Sequence, residues 1–235
     1  MKEYFAFQWH ITDECDQRCK HCYIFSENNC KHLDAMTWEQ IQETFYNCMD
    51  FCEVYGRLPY FYITGGDPIL HPDFWRLLAL LKEHDIPFAI LGNPFHLTDE
   101  VCMRLKGYGC RKYQLSLDGM RETHDWFRKP GSFDCTLEKI GCINRAGIRS
   151  VVMTTVSGAN ISEVPDIIDT VVKAGADVYA FARRTTGSFW ISVIRNIRNT
   201  RPKAARPAST KKTIFGRFTN MKKGYSKSRR MRRTA

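Results

Sequence analysis

Three cysteines close together are the residues of this chain best placed to do chemistry. Cys15-Asp-Gln-Arg-Cys19-Lys-His-Cys22 has C-x3-C-x2-C spacing. Three thiolates on one short loop can hold three corners of an iron–sulfur cube, whereas an electron-carrier cluster normally takes four, so the fourth iron here would stay open. Zinc is the rival, because structural zinc also takes cysteine and histidine in fours. Cys30, His21 or His32 would complete such a site. His21 sits between two of the ligands, where it has trouble turning toward the same metal, and no second C-x2-C pair is present. The loop alone therefore favours iron–sulfur over zinc.

A second motif, Gly65-Gly66-Asp67-Pro68, follows the β-type run from Tyr60 to Thr64. Glycines at the C-terminal edge of a strand let backbone carbonyls approach a ligand closely, and Pro68 fixes the turn.

These motifs need elements to position them. From Tyr4 to Arg183 short β-type runs alternate with amphipathic helical stretches, the pattern of stacked βα units on a parallel sheet. Six strands are predicted: Tyr4 to Ile11, Tyr60 to Thr64, Phe88 to Leu91, Lys112 to Leu117, Ser150 to Thr155 and Asp177 to Ala182. The fold class is α/β, a partial (β/α)6 TIM-like barrel of parallel strands, with an open doubly wound sheet as the alternative. Thr37-x-x-Gln40 and Asn160-x-x-Glu163 read as capping boxes, and Gly107, Gly147 and Gly175 as left-handed helix ends. On the first strand, alternation sends Phe5, Phe7, Trp9 and Ile11 toward the helices. Ala6, Gln8, His10 and Thr12, with Gln114, Ser116 and Asp118 of the fourth strand, then face a polar lumen.

The 235 residues are 43% hydrophobic, enough for one domain with a sizeable core. No run of eighteen apolar residues and no secretory layout at Met1-Lys2-Glu3-Tyr4 is present, so a cytoplasmic protein with no membrane partner is expected. In that compartment the other seven of the ten cysteines read as buried thiols rather than disulfides. Charge divides the chain in two. Residues 183–235 carry 17 Lys or Arg and no Asp or Glu, against 18 basic and 25 acidic residues in 1–182. Residues 1–182 are expected to be the core domain and 183–235 a basic, disordered tail.

The two motifs together, in this order, resemble the radical S-adenosylmethionine (SAM) superfamily, whose signature pairs C-x3-C-x2-C with a GGEP-like turn. The turn here is GGDP. Cys22-Tyr23, Ser116-Leu117-Asp118-Gly119 and Arg128-Lys-Pro-Gly131-Ser-Phe133 add to the resemblance. They look like the branch that usually carries a C-terminal SPASM extension and modifies peptides. Within it, the wording from Phe7 to Phe25 is most similar to peptide maturases such as those encoded beside ACGX-repeat precursors. The resemblance implies a [4Fe-4S] cluster on Cys15, Cys19 and Cys22, and SAM as second cofactor. It places His21 against the adenine, the turn of Gly65, Gly66 and Asp67 at the SAM amino group, Ser116 at the ribose and Arg128 at the carboxylate. It further implies a precursor peptide substrate and a flavodoxin- or ferredoxin-type electron donor.

The sequence departs from that branch after Cys142, beyond which there is no cysteine. A truncated or frame-shifted product is the expected explanation of the acid-free tail. An inactive fragment, or a metal-stabilised module using the tail to bind nucleic acid, are the competing functional readings, the last the weakest because the tail lacks a known reader motif.

Overall fold

The computed structural model describes residues 3–26, 34–185 and 188–195. Cys30, His32 and most of the expected tail lie outside them.

Seven strands form one sheet in sequence order. They are β1 (Tyr4–His10), β2 (Leu58–Thr64), β3 (Phe88–Leu91), β4 (Cys110–Ser116), β5 (Arg149–Val156), β6 (Val178–Thr185) and β7 (Ser188–Arg195). The first six run parallel, each joined to the next by a helical crossover, and curl into a half-barrel with the helices outside. The helices are α1 (Trp38–Val54), α2 (Phe74–Glu83), α3 (Asp99–Gly107), α4 (Arg121–Phe127), α5 (Ser132–Arg145) and α6 (Val164–Lys173). The partial barrel is the expected one, and no described helix is long and apolar enough to cross a membrane.

The core lies between the convex side of the sheet and the helices. Trp9, Phe61, Ile63, Phe88, Ile90 and Leu115 come up from the strands, and Ile41, Phe45, Leu77, Leu81, Ile140 and Ile167 come down from the helices, all buried. Burying them supplies most of the drive for folding, at roughly 1.5–3 kcal/mol for each large apolar side chain. Alternation on β1 holds as expected: Trp9 and Ile11 are buried and Phe7 packs on Phe61 at 5.4 Å, while Gln8 is exposed.

Four local details decide where elements begin and end. Thr37 and Gln40 form the expected capping box at the start of α1. Asn160 and Glu163 do not. Asn160 is fully buried and donates to Asp118 O and Thr155 O, while Glu163 accepts from Met120 N and Thr123 Oγ1. Both side chains are used to join the ends of β4 and β5 to α6, which leaves neither for a cap. Gly147 and Gly175 take the left-handed conformation after their helices, but Gly107 is the last residue of α3 and Gly109 takes that role at φ 98°.

Sheet pairing runs past the charge boundary. β6 continues to Thr185, and β7 pairs antiparallel with it from Ser188 to Arg195. The first residues of the expected tail are therefore sheet, because backbone pairing along an open edge depends little on side-chain charge.

Asn160, itself fully buried, fastens two strand ends by donating to Asp118 O and Thr155 O and accepting from Ser157 N and Oγ. Asn160→Ala is expected to cost about 2–4 kcal/mol and to lower the thermal midpoint by about 5–15 °C, read by circular dichroism.

Candidate active site

All the candidate residues gather at the C-terminal edge of the half-barrel, where β1, β2, β3 and β4 hand over to their loops. The loop after β1 docks on the turn after β2 by backbone alone. Gly66 N donates to Thr12 O and Asp67 N to Glu14 O, both at 2.7 Å. A Cβ on Gly65 would stand 2.2 Å from Thr12 O, and one on Gly66 2.2 Å from Glu14 O. The two glycines are thus required first by the cysteine loop itself, closer at hand than any ligand. Farther along, Lys20 N donates to Phe127 O at 2.8 Å, which ties the loop to the end of α4.

With the loop so held, Cys15, Cys19 and Cys22 open on one cavity of about 420 Å³, shared with Gly65, Gly66 and Ser116. Cys15 Sγ accepts from Asn93 Nδ2 at 3.2 Å and from Gln17 N at 3.4 Å. Arg128 Nη1 lies 3.8 Å from Cys19 Sγ. Burial pushes the Cys15 and Cys19 thiols up, so neither gives up its proton readily without a cation to replace it.

The donor set fits a cube better than a single zinc. Tetrahedral zinc, with bonds of about 2.3 Å, draws its sulfurs to roughly 3.8 Å apart. Here the three Sγ atoms do not fall within 4.8 Å of one another, and no other described His, Asp or Glu joins any of them in such a group. His21 turns to Asp118 instead, its Nε2 3.4 Å from Oδ2.

Asp118 is the hub behind the cavity wall. It is fully buried and accepts from Arg128 Nε at 2.6 Å and from Thr155 N at 2.8 Å. Burial pushes its carboxyl up, but the Arg128 and His21 charges with the Thr155 N–H more than offset that and hold it below the usual range. The Arg128 guanidinium is therefore already paired, with one edge left to face Cys19 and the cavity.

Not every expected contact is in the cavity. His21, Gly65, Gly66, Ser116 and Arg128 line it, and Asp67 does not. The Asp67 carboxylate lies behind the turn, 0% exposed, with Oδ1 accepting from Asn93 N at 3.4 Å and Oδ2 without a hydrogen bond among the described residues. Its burial raises the pKa to about 7. Sequence reasoning missed Asn93, Gln17 and Thr155. Asn93 follows the end of β3 and Thr155 lies near the end of β5, the same edge that flagged Gly65, so strand order was a signal for both.

Comparison with known proteins agrees with the geometry. The sequence profile of the Radical SAM superfamily matches residues 9–171. The chain belongs to that superfamily. Its cofactors are a [4Fe-4S] cluster and SAM, and three cysteines opening on one adjoining cavity suit both. The AdoMet-dependent heme synthase of Nitratidesulfovibrio vulgaris is 29% identical over 170 residues, covering 72% of this chain and 45% of that protein. The mycofactocin maturase MftC of Mycobacterium tuberculosis is 26% identical over 183 residues, covering 76% and 44%. The chain thus spans less than half the length of these relatives. Among solved structures, Streptococcus suis SuiB bound to its precursor peptide SuiA superposes with a TM-score of 0.62 at 15% identity, covering 79% of this chain and 40% of SuiB. The enzyme anSMEcpe with bound AdoMet gives 0.65 at 18%, covering 77% and 52%. Both share the fold of this radical SAM domain.

Two outcomes follow from the turn. Gly66→Ala forces a methyl against Glu14 O, and is expected to lower the melting temperature by about 3–10 °C and to reduce iron uptake on reconstitution. Asp67 is protonated in the folded chain up to about pH 7 but ionises near 4 when unfolded. Its contribution to stability is therefore lost as pH rises from about 4 to 7. Asp67→Asn, which keeps an acceptor for Asn93 N, should raise the melting temperature relative to the parent at pH 8 and leave it unchanged near pH 4, as followed by calorimetry.

Proposed function

We propose that the chain binds a [4Fe-4S] cluster through Cys15, Cys19 and Cys22 with SAM in the adjoining cavity, and uses them to modify a ribosomally made peptide. The observation that carries this is the opening of all three sulfurs onto the cavity that Gly65, Gly66, Ser116 and Arg128 also line. When bound, the cluster supplies the electron that cleaves SAM, and SAM supplies the 5′-deoxyadenosyl radical that takes a hydrogen atom from the substrate.

The chain's own residues bind, orient and enclose. Backbone groups at Gly65 and Gly66 receive the SAM amino group, and the Ser116 hydroxyl at the end of β4 receives the ribose. Arg128 offsets the SAM carboxylate with the edge of its guanidinium that Asp118 leaves free. His21, edge-on to Phe127 at 5.3 Å, forms the wall for the adenine. Asp67 supports the turn from behind. Ile24 and Phe127 are buried beside the cysteines and keep water from that side.

A peptide substrate is supported by the maturase MftC, by SuiB with its bound precursor, and by the wording of the cysteine loop. The electron is assigned to a flavodoxin- or ferredoxin-type donor. A cytoplasmic setting agrees with nine described cysteines all being free thiols. The charge of the tail is not needed for any of these steps, so nucleic acid is not assigned as a partner.

Anaerobic reconstitution, iron and sulfide counting, and a SAM-cleavage assay with dithionite test the reading. About four irons per chain and formation of 5′-deoxyadenosine are expected, with Cys19→Ala losing both. Zinc in place of iron in protein purified without oxygen, or undiminished cleavage in Cys19→Ala, would overturn it.

A further inference from the structure

Gln17 is a buried polar residue of the cysteine loop to which the reading above gives no task. It is 1% exposed, and its amide bridges two groups: Oε1 lies 3.4 Å from Cys19 Sγ and Nε2 3.5 Å from Ser132 Oγ. Which end of the amide faces the sulfur is decided by hydrogen-bond polarity, and here the polarity can be traced from a fixed starting point.

That point is Asp118 N, a backbone N–H that can only donate. It lies 2.9 Å from His124 Nδ1, so Nδ1 is the acceptor. Burial, with the Arg128 charge second, pulls His124 down to about 4 and keeps the ring neutral. The ring proton is then on Nε2, which donates to Ser132 Oγ at 3.0 Å. His124 and Ser132 are both fully buried, so water does not compete for this chain.

The last link depends on the state of Cys19. As a thiol it has a hydrogen to give, and Oε1 accepts it. As a metal-bound thiolate it has none, and Oε1 would then put two acceptors face to face in a part-buried site, a repulsive and poorly satisfied contact. Turning the amide over removes the conflict. Nε2–H then points at sulfur, and the Ser132 hydroxyl donates its own hydrogen to Oε1.

We propose that Gln17, turned by the directed chain Asp118 N–H, His124, Ser132, donates an N–H to the Cys19 thiolate and thereby raises the reduction potential of the cluster. This rests on Cys19 being an iron ligand. Hydrogen bonds to cluster sulfurs stabilise the more negative, reduced state, which is one of the protein's levers on potential. Gln17 acts as a positioning residue, and Ser132 and His124 set its orientation without touching the metal.

The test is the midpoint potential of the reconstituted full chain without SAM, followed by electron paramagnetic resonance during redox titration. Gln17→Met, similar in shape but without a donor, is expected to move the reduction equilibrium at least tenfold toward the oxidised form, about 59 mV lower for one electron, with iron and sulfide content unchanged. Ser132→Ala, which leaves every atom near the metal in place, should move it in the same direction by less. An unchanged potential in Gln17→Met at full iron content would overturn the inference. Should Gln17→Met fail to hold iron, Ser132→Ala decides alone, and an unchanged potential there overturns it. A parent chain that takes up no iron would overturn the cluster assignment itself, an outcome visible before any variant is compared.

Discussion

The cysteine loop has little secondary structure of its own, yet three sulfurs on it must keep a fixed spacing. What fixes them is a backbone-to-backbone joint, in which Gly66 N and Asp67 N donate to the carbonyls of Thr12 and Glu14. The joint needs the two chain segments so close that no side chain fits between them, which is why the turn carries two glycines in succession. It also spends the loop's carbonyls on a rigid strand end rather than on water. The parallel pairing of β1 with β2, in register from Tyr4 with Leu58 to His10 with Thr64, brings the two segments out of the sheet side by side. Barrel topology, glycine pair and cysteine loop are thus one device. Each is placed by the others, and the site inherits the rigidity of the sheet.

Electrostatics adds a second layer through Asp118. A carboxylate buried this completely is costly unless paired and hydrogen-bonded, and here it has Arg128 on one oxygen and Thr155 N on the other. The pair does more than offset its own burial. It holds Arg128 with one face toward Cys19, and it holds the neighbouring strand ends, since Asp118 O also receives Asn160 Nδ2 at 2.7 Å. In the proposed reading, positive charge beside Cys19 would lessen the cost of ionising a thiol in a partly buried loop. The ion pair is thus both a brace between the ends of β4, α4 and β5 and a part of the cavity's charge.

The parts of this arrangement that rest on chain periodicity were legible in the sequence. Strand alternation on β1, the order of βα units and the capping box at Thr37 all follow from local pattern, and all stand in the structure. The cysteine spacing and the glycine turn were legible as chemistry because few other purposes require those residue types together. What could not be read were choices between competing partners. Asn160 had the look of a cap but is drawn into a buried bridge, because satisfying Asp118 O and Thr155 O there outweighs one helix N–H left to solvent. Asp67 read as a ligand residue but is fully buried and absent from the cavity lining, a placement that local sequence pattern does not encode. Gln17 gave no signal at all, because its role depends on Ser132, 115 positions away. The charge boundary at residue 183 answers a different question: composition marks where charge changes, whereas backbone pairing continues through β7.

One consequence joins the sheet to the chemistry. The lumen face of β1 is open, with Ala6 and Gln8 exposed among the described residues, while the convex face is dry from Trp9 to Tyr179. Radical chemistry on a substrate needs stray hydrogen donors kept out. On the cysteine side, Ile24, Phe127 and His124 are buried behind the loop. The lumen side of β1 does not meet that need by itself. In the proposed reading, a peptide laid along that face would be both the reactant and part of the wall. A bound peptide would cover the polar lumen residues and complete the enclosure only when there is something to react with. In that reading, productive radical formation would be tied to occupancy of a lumen that is open along the first strand.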